Sequence, residues 1–414
     1  MNNSSLTPLD VKLGKDNLWT KDFLIICMAN FFVALTFYLL MTTLALYAVE
    51  QFNTSQSKAG FASSIFVIGA LFSRLLTGKY IEVIGRKRLL YSSLFLFFIA
   101  TLLYFPVNNL GLLLVVRFLH GTAFGIAGTA LSTAVMDLIP DERKGEGTGY
   151  FSLSVTAATA LGPFLGLLIT RHADFEMLFV VCAFFSALNT IVILFANIPE
   201  AYITEEQIQE MKKGFKIYDF FEERAVPVSI MMVLLGIAYS GVVTFFNTYA
   251  IELELKDAAS FFFVVYALVL FVSRPLTGRL LDLRGDNIVI YPALITFSLS
   301  LLLLSQARIG SILLMAGALL ALGFGTMMSC AQAIVVKESP KHRVGLATST
   351  FFICMDGGTG IGPFLTGMLV PFVGFRGMYL TLAAVVLLSI ILYYFVHGKN
   401  VALRRQYSRA LNKT

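Results

Sequence analysis

Apolar residues run through this chain in long stretches separated by short polar breaks. A helix crossing hydrocarbon needs about 20 mostly apolar residues, and twelve stretches offer that length. The first six lie near 22–46, 58–80, 89–107, 111–138, 147–170 and 176–198. The next six lie near 226–250, 259–282, 288–306, 310–336, 345–370 and 377–397. The pattern predicts a tail at 1–21, a six-helix bundle at 22–198, a linker at 199–225, a second six-helix bundle at 226–397 and a tail at 398–414. The linker carries Glu205, Glu206, Glu210, Lys212, Lys213 and Lys216, which predicts a water-facing segment with a short amphipathic helix.

Composition agrees. Of 414 residues, 57% are apolar and only 14% charged, and mean hydropathy is +0.80. A soluble domain carries about 25% charged residues. This chain cannot cover a water-facing surface, so a lipid bilayer is its expected solvent. The net charge is +6, but the basic residues fall between apolar runs and form no basic face with interleaved aromatics. They orient the helices rather than bind nucleic acid. With twelve spans, 23 of the 31 Lys and Arg fall on the side of the two chain ends, 5 on the other side, and Arg74, Arg117 and Arg274 lie inside spans. Both termini are therefore expected in the cytoplasm of a multi-pass cell-membrane protein, a bacterial one. Met1 to Lys21 lacks the order of a cleaved signal peptide.

Cys27, Cys182, Cys330 and Cys354 lie in apolar stretches without a CxxC pair, so they are expected to pack as small hydrophobes. No metal and no cofactor is expected. HExxH, GxSxG and P-loop spacings are absent, which argues against an enzyme and against ATP-driven transport by this chain.

The chain repeats itself at a shift of 200 residues. Ser73-Arg74-Leu75-Leu76-Thr77-Gly78 returns as Ser273-Arg274-Pro275-Leu276-Thr277-Gly278, and Glu82 and Gly85 match Asp282 and Gly285. Phe124-Gly125 matches Phe324-Gly325; Pro140, Arg143 and Gly145 match Pro340, Arg343 and Gly345. Gly162-Pro163-Phe164-Leu165 matches Gly362-Pro363-Phe364-Leu365. Parallel repeats relate two bundles by an axis along the membrane normal, with a cavity between them that rocking exposes to alternate sides.

Three segments carry a family resemblance. Residues 78–90 contain Gly78, Glu82, Gly85, Arg86, Lys87 and Leu90 in the order G-x-L-A-D-R-x-G-R-K-x-x-L, with Glu82 for Asp and Val83 for Arg. Span four reads Arg117-Phe118-Leu119-His120-Gly121, similar to R-x-x-q-G. Span five places Gly149, Ala158, Gly162, Pro163 and Gly166 in the spacing G-x8-G-x3-G-P-x2-G-G, with Ala158 and Leu167 replacing glycines. In joint order these resemble the major facilitator superfamily, nearest its twelve-span drug:proton antiporter branch. The resemblance implies an all-α integral membrane fold of twelve transmembrane helices in two pseudo-symmetric six-helix bundles. It also implies a monomer, small-molecule and proton partners, and, through span five, export. An exporter of a metabolite or metallophore, a nutrient importer, and a membrane sensor without transport stand as alternatives.

The resemblance assigns gating to Glu82, Arg86 and Lys87, with Gly78 and Gly85 permitting close approach, against a purely topological role for the basic residues. Arg74 and Arg274 are read as structural or gate residues rather than substrate ligands, and Asp282 is read with the gate. Arg117 is linked by the resemblance to proton coupling, against a structural role bonded to backbone carbonyls. His120 is either a titrating partner or a neutral replacement for Gln. Few acids lie inside spans. Asp356 is the first candidate to carry a proton, against a local helix-breaking role, and Asp137 is the second. Spans one, four, seven and ten are expected to line the cavity, and Asn30, Tyr38, Tyr239, Asn247 and Gln332, polar or aromatic residues of spans one, seven and ten, are candidate substrate contacts.

Overall fold

In the computed structural model the described residues are 17–54, 56–201, 203–212, 217–401 and 403, and their regular elements are helical. The first six spans are α1 (Lys21–Phe52), α2 (Gln56–Ile84), α3 (Arg86–Leu102), α4 (Leu110–Leu138), α5 (Lys144–His172) and α6 (Phe175–Val192). A short linker helix, α7 (Glu205–Lys212), follows. Spans seven to nine are α8 (Val226–Glu252), α9 (Lys256–Arg284) and α10 (Asp286–Ser305). Span ten is built of α11 (Gly310–Leu320), a π turn at Ala321–Gly325 and α12 (Thr326–Glu338). Spans eleven and twelve follow one another in α13 (Val344–Tyr393), where Gly374 at φ 67 marks the junction. Among the described residues ten stretches are long and apolar enough to cross a membrane. The 17-residue α3 falls short of that length, and α13 holds two spans.

Where the helices start and stop differs from the apolar pattern for physical reasons. Span three begins at Arg86 rather than near 89, because carboxylates enclose that side chain, and its helix stops at Leu102, ahead of Pro106. Gly85 (φ 96) and Gly285 (φ 82) turn the chain between spans two and three and between eight and nine. This left-handed backbone suits glycine and few other residues.

Buried apolar side chains gather separately in the two halves. One core is drawn wholly from residues between Ala225 and Tyr393. Two others come from residues between Leu18 and Ile198, joined only by Val336 and Val344. The halves meet where α2 packs on α13 and α5 packs on α9. These are one pairing seen twice, since the 200-residue shift carries α2 onto α9 and α5 onto the first part of α13. A Cβ added at Gly78 would run into Ser349, at Gly145 into the Gly278 carbonyl, and at Gly149 into the Arg274 carbonyl. Small residues let these backbones touch.

Candidate functional site

The loop between spans two and three builds a buried charge cluster. Arg86 is fully buried; its Nε donates to Glu82 Oε2 at 2.7 Å and its Nη2 to Glu82 Oε1 at 2.6 Å. Its Nη1 pairs with Asp137 at the end of α4. Glu82 also accepts from the Gly345 backbone N–H at 3.3 Å, in the first turn of α13 and in the other half. Asp137, read in the sequence as a second proton carrier, thus sits in the gate cluster. Lys87 stays exposed. Glu200, which the sequence reading missed, accepts from the backbone N–H groups of Arg86 and Lys87 at 2.7 and 2.9 Å. A carboxylate at a helix N-terminus satisfies orphan donors and the helix dipole.

The second half repeats this contact with Asp286 in place of Arg86. Asp282 accepts from the backbone N–H groups of Gly145 (2.8 Å) and Glu146 (2.9 Å), at the start of α5. Between the two contacts, Lys341 Nζ lies 3.1 Å from Asp141 Oδ2, and these residues are themselves 200 apart. Asp141 lies in the turn between spans four and five, and the bond from Lys341 holds its carboxyl below its usual value. On this basic face, therefore, the halves are joined by acid-to-helix contacts on either side of an ion pair.

Deeper in the interface the two intramembrane arginines of spans two and eight face each other's halves. Arg74 Nε is 3.0 Å from Asp356 Oδ2, and its guanidinium lies over the Phe352 ring at 4.5 Å. The Ser349 hydroxyl donates to the Arg74 carbonyl. Arg274 Nη1 donates to the Ser152 carbonyl and, at 2.7 Å, to the Thr156 hydroxyl. Thr156 and Asp356 are equivalent positions of the repeat, so one half meets its arginine with an acid and the other with an alcohol. Tyr38 of α1 lies within electrostatic reach of both Arg274 and Asp356. Tyr239 stacks on Phe324 with centroids 3.9 Å apart and bonds Tyr266, also close to Arg274. The fold thus brings Arg74, Asp356, Arg274, Tyr38 and Tyr239 together.

Other candidates sit elsewhere. Arg117 and His120 are fully buried within the first half. Tyr104 bridges them, 3.4 Å from Arg117 Nη1 and 3.1 Å from His120 Nδ1, and Arg117 lies over the Phe66 ring at 4.3 Å. Asn30 donates to the Ser154 hydroxyl at 2.8 Å, tying α1 to α5. Gln332 is buried on α12, one turn from Met328, which touches Arg274. The side chains of Asn247 and Pro163 lie outside the described residues. Along α5, Gly149 backs onto α9 while Gly162 lies against Tyr38 and Leu39 of α1; Ala158 and Gly166 are buried. In α13, Gly358 and Gly362 rest on α8 in the same manner.

No metal was expected, yet among the described residues the fold gathers one ligand set. Asp286, Glu338 and His397 offer ligand atoms within 4.8 Å of one another, with His397 Nε2 2.8 Å from Asp286 Oδ2. Two carboxylates and an imidazole could hold a first-row divalent ion. The three residues come from three separate spans, so spacing along the chain gave no sign of them.

A family model described as Major Facilitator Superfamily matches residues 26–305 and again 255–410, which together span both halves. The chain belongs to the Major Facilitator Superfamily. It is accordingly a multi-pass membrane transporter of small molecules and not an enzyme. Among its relatives is the staphylopine export protein of Staphylococcus aureus (strain Mu50), 24% identical over 83% of this chain and 88% of that protein. Another is multidrug resistance protein MdtG of Escherichia fergusonii, 24% identical over 90% and 93%. A solved structure of the major facilitator FucP, in the outward conformation, superposes with a TM-score of 0.72 at 16% identity, covering 92% of this chain and 99% of FucP. The crystal structure of the human organic anion transporter MFSD10 superposes with a TM-score of 0.70 at 14% identity, over 90% and 98%.

Proposed function

We propose that this major facilitator exports small amphipathic molecules in exchange for protons. Its basic face, with both chain ends, lies in the cytoplasm of a bacterial cell membrane, and the chain works as a monomer. The observation that carries the reading is Asp356, an acid inside span eleven whose partner, Arg74, belongs to the opposite half. Protonating Asp356 releases Arg74 and loosens the join; deprotonation restores it. One group thereby couples proton occupancy to the separation of the halves.

Further support comes from the gate. Glu82 and Asp282 hold the start of the opposing half's helix, as suits a state closed to the cytoplasm and open outward. The outward conformation of FucP is in keeping with that reading. The glycine spacing of α5, read as the mark of exporters, and the relative named for multidrug resistance agree in direction. The staphylopine export relative favours a second reading, export of a metal-chelating metabolite through the same path.

Purified chain in proteoliposomes, given an imposed pH gradient and a chemically diverse panel, tests both. Substrate accumulation should follow the gradient and reverse with it. Transport indifferent to the gradient removes the antiport claim, and a panel response confined to metal chelators selects the second reading.

A further inference from the structure

Arg74 and Arg274 hold the same place in the two halves, yet only Arg74 has an acid. Arg274 is 3% exposed. Its Nη1 is engaged by the Ser152 carbonyl and the Thr156 hydroxyl, and its Nη2 touches only the Met328 sulfur at 3.7 Å. Its Nε has no hydrogen-bond partner. Among the described residues no carboxylate pairs with it, and the ionisable groups nearest it are Tyr266, Tyr239, Tyr38 and Cys330. A guanidinium keeps its proton in such surroundings. A fixed cation buried at membrane depth without a counter-ion is costly and marks a functional site by default.

The free edge of that guanidinium is specific. Nε–H and Nη2–H point the same way and together grip an oxyanion in two parallel bonds. Both bonds that the Arg274 side chain makes to oxygen reach α5, in the other half. Parting the halves on the basic face strips them away and leaves an uncompensated cation at the mouth of the opened cleft. Around it, Tyr38, Tyr239 and Tyr266 supply aromatic surface and hydroxyls. The sequence alone reads Arg274 as structural or part of the gate rather than as a substrate ligand; its geometry points the other way.

We infer that Arg274 docks a carboxylate of the substrate, so that the chain selects organic anions over neutral molecules of the same skeleton. The inference rests on the transport reading above and names its substrate class.

The test uses full-length chain in nanodiscs, with octanoate, benzoate and 2-naphthoate as probes, each beside its methyl ester. Equilibrium binding is measured without any gradient. At least one acid should bind saturably and about tenfold or more tighter than its ester. Arg274→Gln should abolish that preference. Thr156→Asp is the sharper variant, since it supplies Arg274 with the acid that Asp356 gives Arg74. It should remain folded, lose about tenfold or more in affinity for the acid, and bind the ester as before. If Arg274→Gln does not fold, Thr156→Asp carries the test alone. Acids that never outbind their esters, or a preference that survives Thr156→Asp, overturn the inference. A chain that binds acids through Arg274 but does not exchange them for protons would defeat the antiport reading and leave this one standing.

Discussion

Arg74 of span two and Asp356 of span eleven form an ion pair across the two halves, Nε to Oδ2 3.0 Å. Its counterpart in the repeat is Arg274 with Thr156, an arginine meeting an alcohol at 2.7 Å. Duplication supplied the same scaffold twice, and one substitution at the equivalent position made the two contacts different in kind. The acid-bearing contact can be switched by a proton; the alcohol-bearing one cannot.

Asp356→Asn should therefore abolish pH-driven exchange. The ion pair means that this variant should lose stability as well. Removing one partner of a buried pair costs about 3–5 kcal/mol, and with the Asp356 side chain 21% exposed the loss should fall below that range. Combining it with Arg74→Gln removes the orphaned cation, so the double variant should recover stability but not exchange. Thermal unfolding and proteoliposome flux read the two effects separately. Full coupling in Asp356→Asn would eliminate this acid as carrier and turn attention to Asp137, Arg117 and His120.

The gate acids should differ in the same asymmetric way. Glu82 bonds the fully buried Arg86 twice and reaches Gly345. Asp282 accepts from two backbone N–H groups, and Asp286 stands where the first half has the buried Arg86. Glu82→Gln leaves Arg86 with Asp137 alone and should cost about 3 kcal/mol. Asp282→Asn, which loses charge-assisted bonds to backbone, should cost about 1–2 kcal/mol. Unfolding midpoints of the two variants in the same detergent decide it; equal losses would contradict the assignment of Arg86 as the source of the difference.

Much of this arrangement was legible in the chain. Twelve apolar runs, the repeat at 200 residues and the glycines at 78, 145, 149 and 162 are local patterns, and hydrocarbon leaves few alternatives to helices. Asp356 and Arg74 stood out because a charge inside a span is costly wherever it points. Their pairing was not legible, since it depends on how α2 meets α13 across the interface. Thr156 was invisible for another reason: a threonine in a spanning helix carries no signal until an arginine from the other half bonds it. Glu200, in the segment between span six and the linker helix, and His397, at the end of span twelve, were likewise ordinary residues until folding brought them to a helix start and to an acid cluster.

Glycine contacts on the basic face should control which way the transporter opens. A Cβ at Gly278 would meet the Gly145 carbonyl, and one at Gly145 the Gly278 carbonyl. Backbone cannot yield as a flexible side chain can. Gly145→Ala and Gly278→Ala should both shift the population toward separation of the halves at this face. Spin labels at Asp141→Cys and Lys341→Cys, in a cysteine-free background, report the separation directly. A distance distribution identical to that of the glycine parent would refute the proposed role of the close approach.

The Asp141–Lys341 pair should matter for motion and hardly at all for stability. Its side chains are 62% and 88% exposed, and such pairs contribute under about 1 kcal/mol. Because the folded Asp141 carboxyl titrates below its ordinary value, whatever the pair adds is present above the unfolded value and fades as pH falls through the folded one. Lys341→Ala should thus unfold within about 1 kcal/mol of the parent. The same two positions straddle the join between the halves, so tying them has another consequence. A short reducible thiol bridge between Asp141→Cys and Lys341→Cys should arrest transport, and reduction should restore it. Undiminished flux in the fully bridged protein would mean that the halves never part on the basic face, and alternating access by rocking would have to be abandoned for this chain.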